Sequence, residues 1–207
     1  MTGRTARDRG FTLVELMLVT AIMMIVLAVS AYVFLDNIPA MRLRGASDQL
    51  ASHLQFMKVR AVATNRNAWI YFDQTDDFYT GFVDEASFGT IDTGEYQLSA
   101  LDMPNDNGGV PGFYLPPTVS FGFPDGYDGS SAGPDGLIPG AGNFVSTVDN
   151  YLGFRSTAIP VINFTTNAVP AQPSVIFLTN DRGAGYAISV HITGRVKIFK
   201  WYGGSWK

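Results

Sequence analysis

Residues 9 to 35 read Arg9-Gly10-Phe11-Thr12-Leu13-Val14-Glu15-Leu16, followed by Met17 to Leu35 with no further charge. A helix rises about 1.5 Å per residue, so the twenty uncharged residues from Leu16 to Leu35 are long enough to cross the roughly 30 Å hydrocarbon layer of a bilayer. Arg4, Arg7 and Arg9 precede this run against Asp8 alone. An excess of Lys/Arg on a short flank holds that flank in the cytoplasm, which puts the larger C-terminal part outside it. Secretory signal peptides also start basic and then turn apolar, and Val29-Ser30-Ala31 imitates their small-residue cleavage site. That reading leaves Glu15 unexplained, because a carboxylate at the head of a membrane helix costs several kcal/mol.

The cluster Gly10-Phe11-Thr12-Leu13-Val14-Glu15-Leu16 with its apolar run resembles the prepilin signature of type IV pilin-like proteins. The resemblance implies that a membrane prepilin peptidase cuts after Gly10, that Phe11 becomes an N-methylated first residue, and that Glu15 is the fifth residue of the mature chain. Cutting there creates an ammonium group at the membrane, which a carboxylate on a neighbouring subunit can neutralise during assembly. Glu15 is then the residue that sets subunit register.

Past the span, Leu43, Ala46, Leu50, Leu54, Met57 and Ala61 recur at spacings of three and four with polar residues between them. This is the pattern of an amphipathic helix with one packing face. Pro39 lies inside the run, and a proline there removes a hydrogen bond and crowds the preceding turn, so a kink or break is expected near Asn37 to Pro39. Beyond Asn67 the pattern changes to short aromatic and β-branched runs, at Ala68–Phe72, Tyr79–Val83, Thr118–Phe123, Val161–Thr165, Val175–Thr179, Tyr186–Ile192 and Val196–Tyr202. Thr193-Gly194 suits a tight hairpin and Asn180–Gly185 a longer turn, which makes the last three runs an antiparallel meander.

The fold class that follows is α+β: a long N-terminal helix, half transmembrane and half amphipathic stalk, on an antiparallel β-sheet head. Its expected parts are a leader over 1–10, a transmembrane helix over 11–38, a stalk over 39–66 and an extracytoplasmic head over 67–207. Residues 102–142 hold ten glycines and seven prolines and read as an exposed insertion within the head. Phe113, Tyr114 and Tyr127 in this insertion are candidate contact residues. The head is also similar to the GspH/FimT-type minor pilin and pseudopilin family, through Leu43 to Leu50, Arg60-Ala61, Asn65, Leu115-Pro116 to Val119, and Ile192-Thr193-Gly194-Arg195-Val196. The stretch between Phe123 and Tyr151 has no counterpart in that pattern.

Charge is segregated. Residues 1–66 carry eight Lys/Arg against four Asp/Glu, residues 67–154 carry thirteen Asp/Glu and no Lys/Arg, and residues 155–207 carry six Lys/Arg against Asp181. There is no cysteine, so thiolate metal sites and cysteine nucleophiles are excluded. The two histidines, His53 and His191, belong to no His-Glu-x-x-His or nucleophile motif, and the chain is read as a non-enzyme without a cofactor. His53 reads as a polar stalk residue and His191 as a strand residue facing solvent or a partner. Two acidic loops, one with Asp102, Asn105, Asp106 and Asn107 and one with Asp125, Asp128 and Asp135, have the oxygen donors calcium prefers. Neither has EF-hand spacing, and they read as turn formers.

Two functions fit the resemblance. One is a minor pseudopilin of a type II secretion system, anchored in the inner membrane with its head in the periplasm and assembled with other pseudopilins to move protein cargo. The other is a minor pilin of a type IV pilus whose head contacts a surface or DNA. For the second, strand alternation puts Arg195, Lys197, Phe199 and Trp201 on one face, where cations can meet phosphates and rings can stack on bases. Gly194-Arg195-Val196-Lys197 resembles the Gly-Arg-x-Arg motif of DNA-binding pilins of the FimT type, with lysine in place of the second arginine. The competing arrangement packs Phe199 and Trp201 into the core and leaves the cations in solvent. A single-span sensor with an outer binding domain is a third class, and it does not account for Glu15 beside a Gly-Phe junction.

Overall fold

A single helix, α1 (Leu13–Thr64), covers fifty-two residues. The computed structural model describes residues 11–84, 112–140, 142–164 and 166–207. The helix is unbroken through Pro39, so of the kink or break expected at Asn37 to Pro39, the break does not occur. Proline removes one hydrogen bond and crowds the preceding turn, and the surrounding ladder carries the helix across. The chain nevertheless divides into two compact units at this point, residues 1–38 and Pro39–Lys207. In the first, the described side chains of α1 are almost all exposed, and an 18-residue window with a mean hydropathy of 2.6 makes this helix long and apolar enough to cross a membrane.

In the second unit, Leu43, Ala46, Leu50, Leu54, Met57 and Ala61 are all buried, together with Ala51. They pack on two five-stranded antiparallel sheets. The first comprises β1 (Ala68–Asp73), β2 (Phe78–Val83), β3 (Phe113–Tyr114), β5 (Tyr151–Phe154) and β6 (Pro160–Val161), in the order β3-β2-β1-β5-β6. The second comprises β4 (Val119–Phe121), β7 (Ser174–Asn180), β8 (Gly185–Val190), β9 (Val196–Tyr202) and β10 (Ser205–Trp206), in the order β10-β9-β8-β7-β4. At the β1–β2 turn, the Asp77 carboxylate accepts the Phe121 N–H of β4 at 2.8 Å, which ties one sheet to the other.

Alternation along each strand divides its side chains between two faces. Ile70 and Phe72 of β1, Ile176 and Leu178 of β7, and Ile188 and Val190 of β8 join the helix residues in one core. The opposite residues also find cover. Trp69 and Phe82 pack with Val161 and Phe164 outside the first sheet, while Val175, Phe177 and Ala187 pack with Tyr127 and Leu137 outside the second.

That second cover corrects the expectation of an exposed insertion. Gly and Pro give residues 123–139 their turns, but Tyr127 and Leu137 are buried, and the Phe123 ring meets Phe177 edge-on at 4.9 Å. Residues 102–111 lie outside the described residues. The meander β7-β8-β9 forms as expected, with Gly183 and Gly194 at positive φ in its two turns. A side chain at Gly194 would also run into the Ala158 carbonyl. The run at Val161–Thr165 shrinks to Pro160–Val161, because Asn163 turns the chain by accepting the Thr166 N–H. Strands β3, β5 and β10 were not marked by their sequences, being short or containing glycine.

Candidate functional sites at the helix start and the terminal hairpin

Thr12 precedes the first helical residue and its Oγ1 accepts the Glu15 N–H at 3.2 Å. The Thr12 carbonyl accepts the first helical bond, from the Leu16 N–H at 3.2 Å, and the Thr12 hydroxyl satisfies one of the orphan donors at the helix start. The spacing Thr12-x-x-Glu15 is that of a capping box, and a carboxylate in the first turn also complements the positive end of the helix dipole. The cap therefore fixes where the helix begins and places Glu15 on its first turn. Phe11 stands just outside, 78% exposed. Gly10 lies outside the described residues.

The terminal hairpin carries the four residues considered for DNA. Alternation does put Lys197, Phe199 and Trp201 on one face, and that face is covered by the 123–139 segment. Phe199 and Trp201 pack against the cluster of Tyr127, Val175 and Phe177. The Trp201 indole donates to the Asp125 carbonyl at 2.9 Å, and its ring lies 5.3 Å from Tyr127 and 5.1 Å from Trp206. Lys197 Nζ is 2.9 Å from an Asp135 oxygen, and the other Asp135 oxygen accepts the Ser189 hydroxyl at 2.6 Å. Arg195 alone of the four is exposed. Phe199 and Trp201 thus take the inward-packed arrangement, while Lys197, expected in solvent there, is paired with Asp135.

Asp135 also changes role. Burial alone would raise its carboxyl, but the hydrogen bonds from Ser189 and Lys197 and the Lys197 charge outweigh this and hold it below its ordinary value. Its side chain is only 14% exposed. It is a clasp between the 123–139 segment and the sheet, and nothing in its Gly-Pro-Asp-Gly context distinguished it from a turn residue. Asp128 accepts the Ser130 N–H and hydroxyl within its own turn. No group of metal-binding side chains occurs among the described residues, and Asp102, Asn105, Asp106 and Asn107 lie outside them.

Phe113 and Tyr127, expected as contacts, are buried, because large rings are what the two apolar clusters take up. Tyr114 is partly exposed. His53 Nδ1 lies 2.9 Å from the Tyr79 hydroxyl, with the Phe113 ring centroid 4.4 Å away. Burial lowers its pKa. His191 sits just past β8 in the hairpin turn, 3.0 Å from the Thr193 hydroxyl.

Residues 5–31 match the family model described as the prokaryotic N-terminal methylation motif. Among solved structures, the chain is similar to the minor pseudopilin EpsH from the type 2 secretion system of Vibrio cholerae, at 10% identity over 77% of this chain and 97% of that chain, with a TM-score of 0.44. It is also similar to the type IV minor pilin FimU of Pseudomonas aeruginosa, at 14% identity over 80% of this chain and 92% of that chain, with a TM-score of 0.41. No curated protein matches the chain.

Proposed function

We propose that this chain is a minor pseudopilin of a type II secretion system: a prepilin cut between Gly10 and Phe11, methylated at Phe11, held in the inner membrane by the first half of α1, and assembled with other pilin-like subunits through Glu15. One observation carries the reading. A methylation motif spans residues 5–31, and within it a Thr12 cap sets Glu15 on the first turn of a helix that then runs uncharged to Leu35. A carboxylate there is costly unless it meets a cation, and cleavage before Phe11 supplies one on the neighbouring subunit. The head contributes a core that ties the stalk to both sheets, which suits a subunit bearing load along its helix.

Mass spectrometry of the membrane-extracted protein tests the reading. The expected N-terminus is N-methyl-phenylalanine at position 11. An intact Met1, or an N-terminus after Ala31, would overturn it. The second reading, a type IV minor pilin with a DNA-contacting head, rests on the terminal hairpin. The cover over Lys197, Phe199 and Trp201 removes its stacking surface, which favours the secretion role. In a mobility-shift titration of the full chain in detergent at low salt, no shift is expected. A salt-sensitive shift that is lost in Arg195→Ala would restore the pilus reading.

A further inference from the structure

Strand β9 is paired with β8 from Val196 to Lys200 on one side, and on the other side only its last residues are paired. Toward β8 the register runs from Val190↔Val196 to Tyr186↔Lys200. On the far side, β10 meets only Trp201 and Tyr202, with Lys200 exchanging both of its backbone hydrogen bonds with Lys207 at 2.7 and 3.0 Å. In an antiparallel pair, alternate residues turn their N–H and C=O groups to opposite sides. Lys200 faces β10, so Ile198 and Val196 face the same way. The Arg195 carbonyl, which accepts the His191 N–H at 2.9 Å, confirms the opposite phase for the odd-numbered residues. Two donors and two acceptors therefore line an edge that no described strand covers, in line with β10.

The side chains around this edge are not neutral. Arg195 and Lys200 are exposed, residues 195–207 hold four Lys/Arg and no Asp or Glu, and Ile198, 38% exposed, lies between Arg195 and Lys200. Proteins normally blunt such an edge by shortening, covering or charging it, because it is a template for another strand. Here the charge is of one sign and does double duty. A second copy pairing antiparallel across this edge would set two segments with four cations each side by side, and like charges at that spacing oppose the pairing. An acidic strand would gain the same backbone bonds and opposite charges as well.

We propose that the Val196–Phe199 edge is a docking site for an extended acidic segment of another protein, which adds to the second sheet as a strand with an apolar residue over Ile198 and carboxylates beside Arg195 and Lys200. The mode is strand addition, in which backbone bonds supply affinity and the flanking charges supply selectivity. This does not depend on the processing or assembly reading.

The test is amide hydrogen exchange, resolved to single residues, on the full chain in detergent. The probe is a short capped peptide with one central valine flanked on both sides by glutamates, with a peptide of equal length whose valine is flanked by lysines as control. Without peptide, Val196 and Ile198 exchange fast while Lys197 and Phe199, bonded to β8, exchange slowly. At an acidic-peptide concentration about ten times its dissociation constant, exchange at Val196 and Ile198 slows roughly tenfold, and the lysine peptide has no effect. Ile198→Pro removes an outward donor and leaves the β8 ladder intact, as proline is tolerated at an edge position whose N–H faces solvent. This variant should lose the response at Val196, and Arg195→Glu/Lys200→Glu should lose it as well. The proposal is overturned by an absence of slowing, by equal slowing with the lysine peptide, or by an undiminished response in Ile198→Pro. Protection that grows with protein concentration alone would assign the edge to a second copy and overturn it too.

Discussion

The two parts of α1 divided at Pro39 are continuous in backbone and opposite in what their apolar residues do. Before Pro39, residues such as Leu18, Ile25 and Leu27 are exposed in the protein alone, and with no charge from Leu16 to Leu35 they form a surface matched to hydrocarbon. After Pro39, one apolar stripe is buried on the two sheets, with Arg44, Asp48 and Gln55 on the side away from it, and Met41, Phe56, Val59 and Val62 are the large apolar residues left exposed. The same helix thus carries surfaces suited to two solvents. The breadth of the apolar surface, all round or one stripe, decides which.

The largest expected effect breaks the first part. Glu15→Val removes a charge from the membrane helix, so the protein should still reach the membrane, but its incorporation into filaments should be lost because a neighbour's ammonium has no partner. Immunoblots of membrane and sheared-filament fractions would measure the two separately, and equal incorporation would remove Glu15 from any register role. The next contrast sets the parts against each other. Leu50→Ala, at a fully buried position, should cost the head about 2 to 5 kcal/mol, while Leu27→Ala, exposed in the span, should leave head stability unchanged. Denaturant titration followed by fluorescence of Trp69, Trp201 and Trp206 would show it, and equal costs would mean that the two parts do not differ as described.

A smaller effect concerns the cover over the second sheet. Asp135 takes a positive φ of 53°, which asparagine also accepts, so Asp135→Asn removes the charge without straining the turn. It should cost about 2 kcal/mol, the range for hydrogen bonds to a charged group. Because the folded carboxyl is held below its ordinary value, this contribution is full above the ordinary carboxylate range and is lost as acid protonates Asp135. Parent and variant should converge in stability at low pH, and a gap that persists there would show that packing rather than charge is responsible. The smallest effect lies at His53. Burial lowers its pKa from the ordinary value of 6.5, so the unfolded chain takes up the proton first and stability should fall slightly as pH drops below that value. His53→Gln should flatten this slope in thermal denaturation measured between about pH 8 and about pH 5.

The sequence alone determined the charge-free span, the motif around Phe11 and Glu15, the stalk stripe and the terminal meander. Each is a local pattern of charge, period or turn chemistry, and each can be read without knowing what lies opposite it. Val175-Ile176-Phe177-Leu178 is apolar at every position, which marks a strand buried on both faces rather than one. Only the tertiary structure decided what covers the second face. The Gly/Pro-rich segment has the backbone of a surface loop, yet it lays Phe123, Tyr127 and Leu137 on Phe177 and clasps Lys197 through Asp135. Asp135 and Lys197 are sixty-two positions apart, and no period or turn rule connects residues at that distance. Strand alternation assigns a side chain to a face, but whether that face meets water, a loop or a partner depends on which distant segment lies against it.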